Sequence, residues 1–269
     1  MGQFIGGAGA AFILAAGVMV IIKFFMDTDV IKNKNAVAVY TKISLAALAV
    51  GVAYVFLAAL IFNSIKDRMN FFEFDKFFDF LGVKKTMTLC CEFDIRYAAD
   101  GLMMPLYPYI VHVIGGFVFK QYLLTAEFVS FASACISACL LYSIARRKFT
   151  KEVSENILFE AASLPYAFML FAPTYISFSI MLILLAAVML SKKNIPMFIA
   201  AAALACASSK IGLIALLFYP LYKAKVFDRA AKVIDKNKFL NNDILNKIML
   251  TVLVTVNGVI LSYLIRGIR

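Results

Sequence analysis

Few residues of this chain have the chemistry of an active site, and the informative ones lie in two places. Two carboxylates, Asp94 and Asp100, flank Arg96 in a stretch of mixed polarity that ends at Gly101. Lys210 stands alone within an apolar run. A carboxylate can accept a proton from a hydroxyl group, and a cation can bind phosphate through charge-assisted hydrogen bonds. The elements that carry these residues decide whether the two places meet.

Each of these residues also has a plain structural interpretation. Asp94 can be an exposed loop residue that pairs with Arg96, and exposed pairs of this kind contribute little to stability. Asp100 can end a helix before Gly101. A lysine such as Lys210 costs about 2.5–3.5 kcal/mol at the centre of a membrane helix, so it either faces a cavity or extends to the interface. The residues alone leave both interpretations open.

The composition predicts the surroundings of these residues. The chain has 269 residues, of which 63% are hydrophobic and 16% charged, and its mean hydropathy is +0.89. A typical soluble domain is about 45–50% apolar and about 25% charged. These values exclude a soluble globular enzyme and a disordered chain, and five cysteines are too few for a disulfide scaffold. We therefore predict an all-α polytopic membrane protein without a metal site that needs several histidines, since the chain has one histidine.

Charge sets the predicted orientation. The net charge is +11, and the basic residues gather between apolar runs, which is typical of cytoplasmic loops rather than of a nucleic-acid surface. For all basic loops to share one side, the chain must form a hairpin at Lys210 rather than one tilted helix through 196–222. The basic loops are 27–42, 146–151, 192–193 and 223–238. The predicted spans are 4–22, 43–65, 122–145, 157–172, 175–190, 196–209, 212–222 and 247–265.

The long stretch 66–121 then lies on the external side. It begins with an amphipathic helix over 71–81 and ends with a short apolar segment, 105–119, that prolines and glycines interrupt and that does not cross the membrane. His112 in that segment is interpreted as an interfacial side chain. The chain is therefore divided at residue 42. Residues 1–42 form an additional N-terminal membrane helix with its cytoplasmic loop, and residues 43–269 form the main membrane module.

Several short blocks resemble the GT-C glycosyltransferases, and most closely the PIG-V-like mannosyltransferases. In the first external loop, that family carries Ile-Ala-x-x-Gly-Tyr followed by Phe-Phe-Pro-Leu-Tyr-Pro. This chain has Ala98-x-x-Gly101 and then Pro105-Leu-Tyr-Pro108. The resemblance covers about residues 93–222 and implies a seven-helix GT-C module, to which 4–22 adds one helix. Later blocks similar to family elements, in the same order, are 141–147, 164–168, 171–175 and 208–212.

The resemblance implies an enzyme that transfers a sugar, mannose, from a polyprenyl-phosphate donor to an acceptor on the external face of the membrane. Such a reaction needs a carboxylate near the acceptor hydroxyl and a cation near the departing phosphate. Asp94 is the first choice for the proton acceptor and Asp100 the second. Arg96, Lys210 and Tyr107 are the expected substrate-binding residues, with an aromatic anchor at the interface as the alternative for Tyr107. Nothing indicates a cofactor, and metal dependence is left open.

The chain departs from the family pattern at several positions. The family starts its loop with a Trp-Asp pair whose acidic residue, counted strictly, falls at Cys90, whereas the nearest comparable pair here is Phe93-Asp94. The family tyrosine after the glycine is Leu102, and its arginine is Lys210. These departures leave a second class open, a non-catalytic relative that acts as a membrane partner subunit or as a lipid or solute transporter. Both classes predict membrane lipids as neighbours and no nucleic acid.

Overall fold

The computed structural model describes residues 34–65, 83–95, 101–116, 121–162 and 167–226. Within these ranges the protein is helical, and the one β pairing is an isolated bridge between Met103 and Ser209. The all-α fold class is therefore confirmed. Several predicted features lie outside the described residues, namely the helices over 4–22 and 71–81, the span 247–265, and the site residues Arg96 and Asp100.

The described helices are numbered here in chain order. They are α1 Lys34–Ile65, α2 Val83–Cys91, α3 Leu106–Ile114, α4 Tyr122–Arg146, α5 Lys151–Ala162, α6 Tyr175–Ser191, α7 Ile195–Ser208 and α8 Ile214–Lys223. Two short 3₁₀ turns, Ala167–Leu170 and Lys210–Leu213, precede α6 and α8. Helix α3, nine residues long, lies within the predicted short apolar segment 105–119.

Helix α4 is the one described helix that is both long and apolar enough to cross a membrane. Its 25 residues extend about 37 Å at the standard rise of an α-helix. Helices α6 and α7 and the part of α1 over Val37–Val52 are apolar but shorter. By length and composition, one helix in the described part of the chain could cross a membrane.

Helices α4 and α6 pack side by side and run in the same direction. At one end, the Ser130 hydroxyl donates a hydrogen bond to the Thr174 carbonyl at 3.1 Å. At the other end, the Arg147 guanidinium contacts the Ser191 hydroxyl. The partners are 44 residues apart in both pairs, so the register is constant along the interface.

Helices α6, α7 and α8 form two consecutive antiparallel hairpins. The hydroxyls of Ser179 on α6 and Ser208 on α7 meet at 2.8 Å. The rings of Phe198 on α7 and Tyr219 on α8 stack with their centroids 6.3 Å apart. The chain therefore reverses direction around Lys210, and the prediction of a hairpin rather than one tilted helix is confirmed.

Helix α1 packs antiparallel to α4. Ser44 Oγ and Cys139 Sγ lie 3.3 Å apart, and the rings of Tyr40 and Tyr142 make an edge contact at 6.4 Å. Residue numbers rise along α1 as they fall along α4 in these contacts. The start of α1 therefore lies beside the end of α4.

These helix directions separate the molecule into two ends. The basic end is formed where α1 and α7 begin and where α4, α6 and α8 end. Its cations are Lys34, Arg146, Arg147, Lys148, Lys151, Lys192, Lys193, Lys223 and Lys225. The opposite end, called the loop end here, is formed by the segments 101–105, 171–174 and 208–213. The basic loops of the described residues thus share one end, as the charge pattern predicted.

Two predicted boundaries are wrong. Helix α1 begins at Lys34, inside the stretch 27–42 predicted as a polar loop, because residues 34–42 contain no proline or glycine to stop a helix. The predicted helix 157–172 is instead α5 followed by a 3₁₀ turn. The Thr150 hydroxyl accepts a hydrogen bond from the Val153 N–H at 3.5 Å at the start of α5, and Pro165 falls before the 3₁₀ turn.

Candidate functional site

The loop end joins the tip of the α7–α8 hairpin, which carries Lys210, to the segment that follows Gly101. Segments 102–104 and 208–210 pair through the isolated bridge. The Lys210 backbone N–H donates a hydrogen bond to the Leu102 carbonyl at 2.8 Å. Segment 102–104, which begins eight residues after Asp94 in the sequence, is therefore tied to the tip of the α7–α8 hairpin.

The hairpin tip holds the Lys210 side chain outward. Ser209 is fully buried with an extended backbone, and its hydroxyl accepts a hydrogen bond from the Ile211 N–H at 2.9 Å. Gly212 lies directly against α7, because a Cβ atom there would be 2.0 Å from the Ala205 carbonyl oxygen. The turn is thus tightly packed on its inner side, and Lys210 is exposed on its outer side.

Asp94 lies in a short turn held against α3. This turn, residues 92–95, follows the end of α2. The Phe93 ring contacts Tyr109 at 5.4 Å and His112 at 5.8 Å, both on α3. Asp94 itself is partly buried. The carboxylate that the sequence favoured is thus anchored by its neighbour rather than carried on an unsupported loop.

Lys210 lies at the loop end, whereas Asp94 lies in the turn 92–95, which is held against α3. Asp100 and Arg96 lie outside the described residues. The described chain resumes at Gly101, whose φ of +56° is in the left-handed region that favours glycine.

Tyr107 does not face an open surface. It is fully buried, and its ring packs against Phe178 at 6.1 Å. Its hydroxyl lies near Ser130 but makes no hydrogen bond of good geometry to the described residues. Burial raises the pKa of Tyr107 well above its ordinary value. The interpretation of Tyr107 as an interfacial anchor is therefore wrong, and substrate contact would require that the ring be uncovered.

Cys90 occupies the position where strict counting places the acidic residue of the family pair. The side chain is fully buried, and burial raises the pKa of its thiol to about 12. A thiol with that pKa stays neutral near pH 7 and does not accept a proton from a substrate. Asp94 is therefore the better candidate on chemical grounds.

His112 is the site residue that sequence reasoning missed. It was interpreted as an interfacial side chain, yet it is partly buried, with Nδ1 2.8 Å from the Cys90 carbonyl oxygen. Its ring contacts those of Phe93 and Tyr122. The signal available in the sequence is the spacing of Tyr109 and His112, which puts both on one face of a helix, and their contact with Phe93 is visible only in the structure.

No metal centre or known relative defines the site further. Across the described ranges, no group of three or more His, Cys, Asp or Glu side chains is arranged to hold a metal ion. Comparison with known proteins finds no matching protein family, curated protein or solved structure. The candidate site is therefore defined by the geometry of the loop end and by the short sequence blocks described above.

Proposed function

We propose that this chain is a multi-pass membrane protein with its basic end in the cytoplasm and its loop end outside. The gathering of cations at one end of the helices supports this orientation. Large apolar side chains also point away from the protein, with Ile199 60% exposed and Leu216 and Leu217 51% and 58% exposed. Apolar patches of this kind are unfavourable in water and suit contact with lipid tails.

The native cysteines test the orientation. Cys91 is exposed and Cys90 fully buried, so a membrane-impermeant maleimide added to intact cells should label Cys91. Partial burial, and then the nearby Glu92, raise the pKa of the Cys91 thiol, so labelling should quicken as the pH rises. A Cys91→Ser, Lys223→Cys variant should react only after the membrane is permeabilised. Labelling of Lys223→Cys from outside would contradict the proposed orientation.

The function that this arrangement supports best is transfer of a sugar from a polyprenyl-phosphate donor, with mannose as the expected sugar. The observation that carries it is the pairing of segments 102–104 and 208–210, which places Lys210 beside Leu102, eight residues after Asp94 in the sequence. Asp94 accepts the proton of the acceptor hydroxyl, and the hydroxyl oxygen attacks the anomeric carbon. The bond from that carbon to the phosphate oxygen breaks, and the departing phosphate carries the electron pair. Lys210 stabilises the negative charge of the phosphate.

A non-catalytic role is the second candidate, either as a partner subunit of a membrane complex or as a lipid or solute transporter. The observation that favours it is Cys90, a buried neutral thiol at the strictly counted position of the family carboxylate. The complete burial of Tyr107 also favours it. A transfer assay separates the two candidates, because only the first predicts turnover.

Lys210 gives the sharpest test of the proposed transfer. With purified protein and labelled polyprenyl-phosphate mannose, Lys210→Met should lower the rate about 10- to 100-fold, as expected for loss of a hydrogen bond to a charged group, about 1.5–3 kcal/mol. Lys210→Arg should retain activity because it keeps the charge. The backbone bond from residue 210 to Leu102 survives both changes, so both variants should fold.

Lys223→Met is the matched control, since it removes an exposed cation from the basic end. It should transfer at the wild-type rate. A Lys210→Met variant as active as wild type would remove Lys210 from the site. Absence of transfer by wild type with any polyprenyl-phosphate sugar would favour the second candidate.

A further inference from the structure

His112 is the only histidine of the chain, and its ring is fixed by a hydrogen bond. Nδ1 lies 2.8 Å from the carbonyl oxygen of Cys90. A carbonyl oxygen only accepts hydrogen bonds, so Nδ1 is the donor and carries the hydrogen. This bond connects α3 to the last turn of α2, immediately before the turn that contains Asp94. The imidazole therefore fixes the point at which that turn begins.

Stacking fixes the plane of the same ring. The centroid of the Phe93 ring lies 5.8 Å from that of the imidazole, at an interplanar angle of 32°. The Tyr122 ring, at the start of α4, stacks on it at 6.0 Å and 18°. Tyr122 is held close to α3, because a Cβ atom at Gly115 would be 2.8 Å from its ring. The imidazole thus contacts one ring from the turn and one from α4.

Phe93 is held by a second contact on α3. Its ring lies 5.4 Å from Tyr109, which is one helical turn before His112. Phe93 therefore packs across a short aromatic face of α3, and Asp94 is the next residue along the chain. Further along the chain, segment 102–104 is held separately, by the bridge between Met103 and Ser209.

We infer that His112 is a positioning residue that acts through Cys90 and Phe93 to hold the turn that carries the Asp94 carboxylate. This inference rests on the proposed transfer and assigns to His112 and Phe93 a role that the family resemblance does not supply. A proton acceptor must lie within hydrogen-bond reach of the hydroxyl, and a misplacement of about 1 Å can cost about 10²-fold in rate. A carboxylate in a short turn needs such an anchor.

The test is a double-mutant cycle between the two residues in the full-length protein. His112→Ala removes the ring and the hydrogen bond, and it should lower kcat about 10- to 100-fold with the KM of the donor unchanged. In an Asp94→Asn background, the same change should have no further effect on the residual rate. His112→Asn keeps a side-chain N–H for the Cys90 carbonyl and should recover part of the lost rate. Lys84→Ala, which shortens an exposed side chain on α2, is the control and should behave as wild type.

Amide hydrogen exchange tests whether His112 holds the turn, and this measurement does not depend on the transfer reaction. The Glu92 N–H donates to the Thr88 carbonyl at 3.0 Å where α2 passes into the turn. Release of the turn should speed exchange of the amides of residues 92–95 in His112→Ala more than in His112→Asn. Exchange in the hairpin tip, residues 208–213, should stay as in wild type, and faster exchange everywhere would show general unfolding instead.

Each outcome either supports or overturns the inference that His112 positions Asp94. Non-additive effects in the cycle together with faster local exchange support it. Multiplicative losses from His112→Ala and Asp94→Asn overturn it, because His112 would then act independently, for example as a proton acceptor itself. Unchanged exchange in residues 92–95 also overturns it. If wild type shows no transfer, the proposed function fails, and the exchange measurement still decides whether His112 holds the turn.

Discussion

Replacing Asp94 by asparagine is expected to lower the rate of sugar transfer about 10²- to 10⁴-fold, the usual contribution of a general base. Asparagine keeps the size of the side chain and one hydrogen-bonding oxygen, but it cannot take a proton near pH 7. The anchoring ring of Phe93 and its contacts with α3 remain, so the variant should fold and bind the donor as wild type does. Single-turnover transfer with purified protein, alongside a donor-binding measurement, separates loss of chemistry from loss of binding.

Glu92→Gln is the matched control for this change. Glu92 lies two residues away and is exposed, so its replacement should leave the rate within about twofold of wild type, since surface changes usually have effects within about 0.5 kcal/mol. Asp100→Asn should also cost much less than Asp94→Asn. The assignment is wrong if Asp94→Asn keeps the wild-type rate while Asp100→Asn loses it, because the proton acceptor would then be Asp100.

Replacing Gly212 by alanine is expected to destabilise the hairpin tip by about 3 kcal/mol, the upper end of the usual cost of overpacking. The new Cβ would lie 2.0 Å from the Ala205 carbonyl oxygen, 2.2 Å from its carbon and 2.6 Å from the Cys206 nitrogen. All three are backbone atoms of α7, so no side-chain rotation relieves the clash. The pairing of the tip with Leu102 should weaken as well, because Lys210 lies in the same turn.

Thermal unfolding of the purified protein measures this effect, with Gly116→Ala as the control. A Cβ atom at Gly116 would meet only the Tyr122 hydroxyl, at 3.8 Å, which is an ordinary contact. Gly116→Ala should therefore unfold at the wild-type temperature and Gly212→Ala well below it. Equal midpoints for the two variants would show that the tip is not packed as described.

The features that the sequence predicted well are those with local signals at both ends. The spans 122–145 and 175–190 became α4 and α6, which end at Arg146 and Ser191, because arginine and lysine follow each apolar run and Pro173 precedes the second. The start of α5 had a local signal too, Thr150 followed by the acidic Glu152, which is typical of a helix N-terminus. The prediction of a helix over 157–172 rests on the apolar run and does not use this signal.

The rest of the site depends on contacts between distant parts of the chain. No local sequence pattern predicts that segment 102–104 pairs with segment 208–210. The same holds for the complete burial of Tyr107 against Phe178, since an aromatic residue between two prolines is equally suited to an interface. The role of His112 emerges only when α2, α3 and α4 are packed together.

The bridge between Met103 and Ser209 also has a consequence for the synthesis of the protein. The ribosome adds Ser209 about a hundred residues after Met103, a delay on the order of ten seconds at the usual elongation rate. During that time segment 101–105 lacks its partner at 208–210. Apolar residues such as Met103, which is 2% exposed in the folded chain, are then open to chaperones and proteases. The candidate site therefore closes late, and a chain that stops before α7 is complete leaves it unassembled.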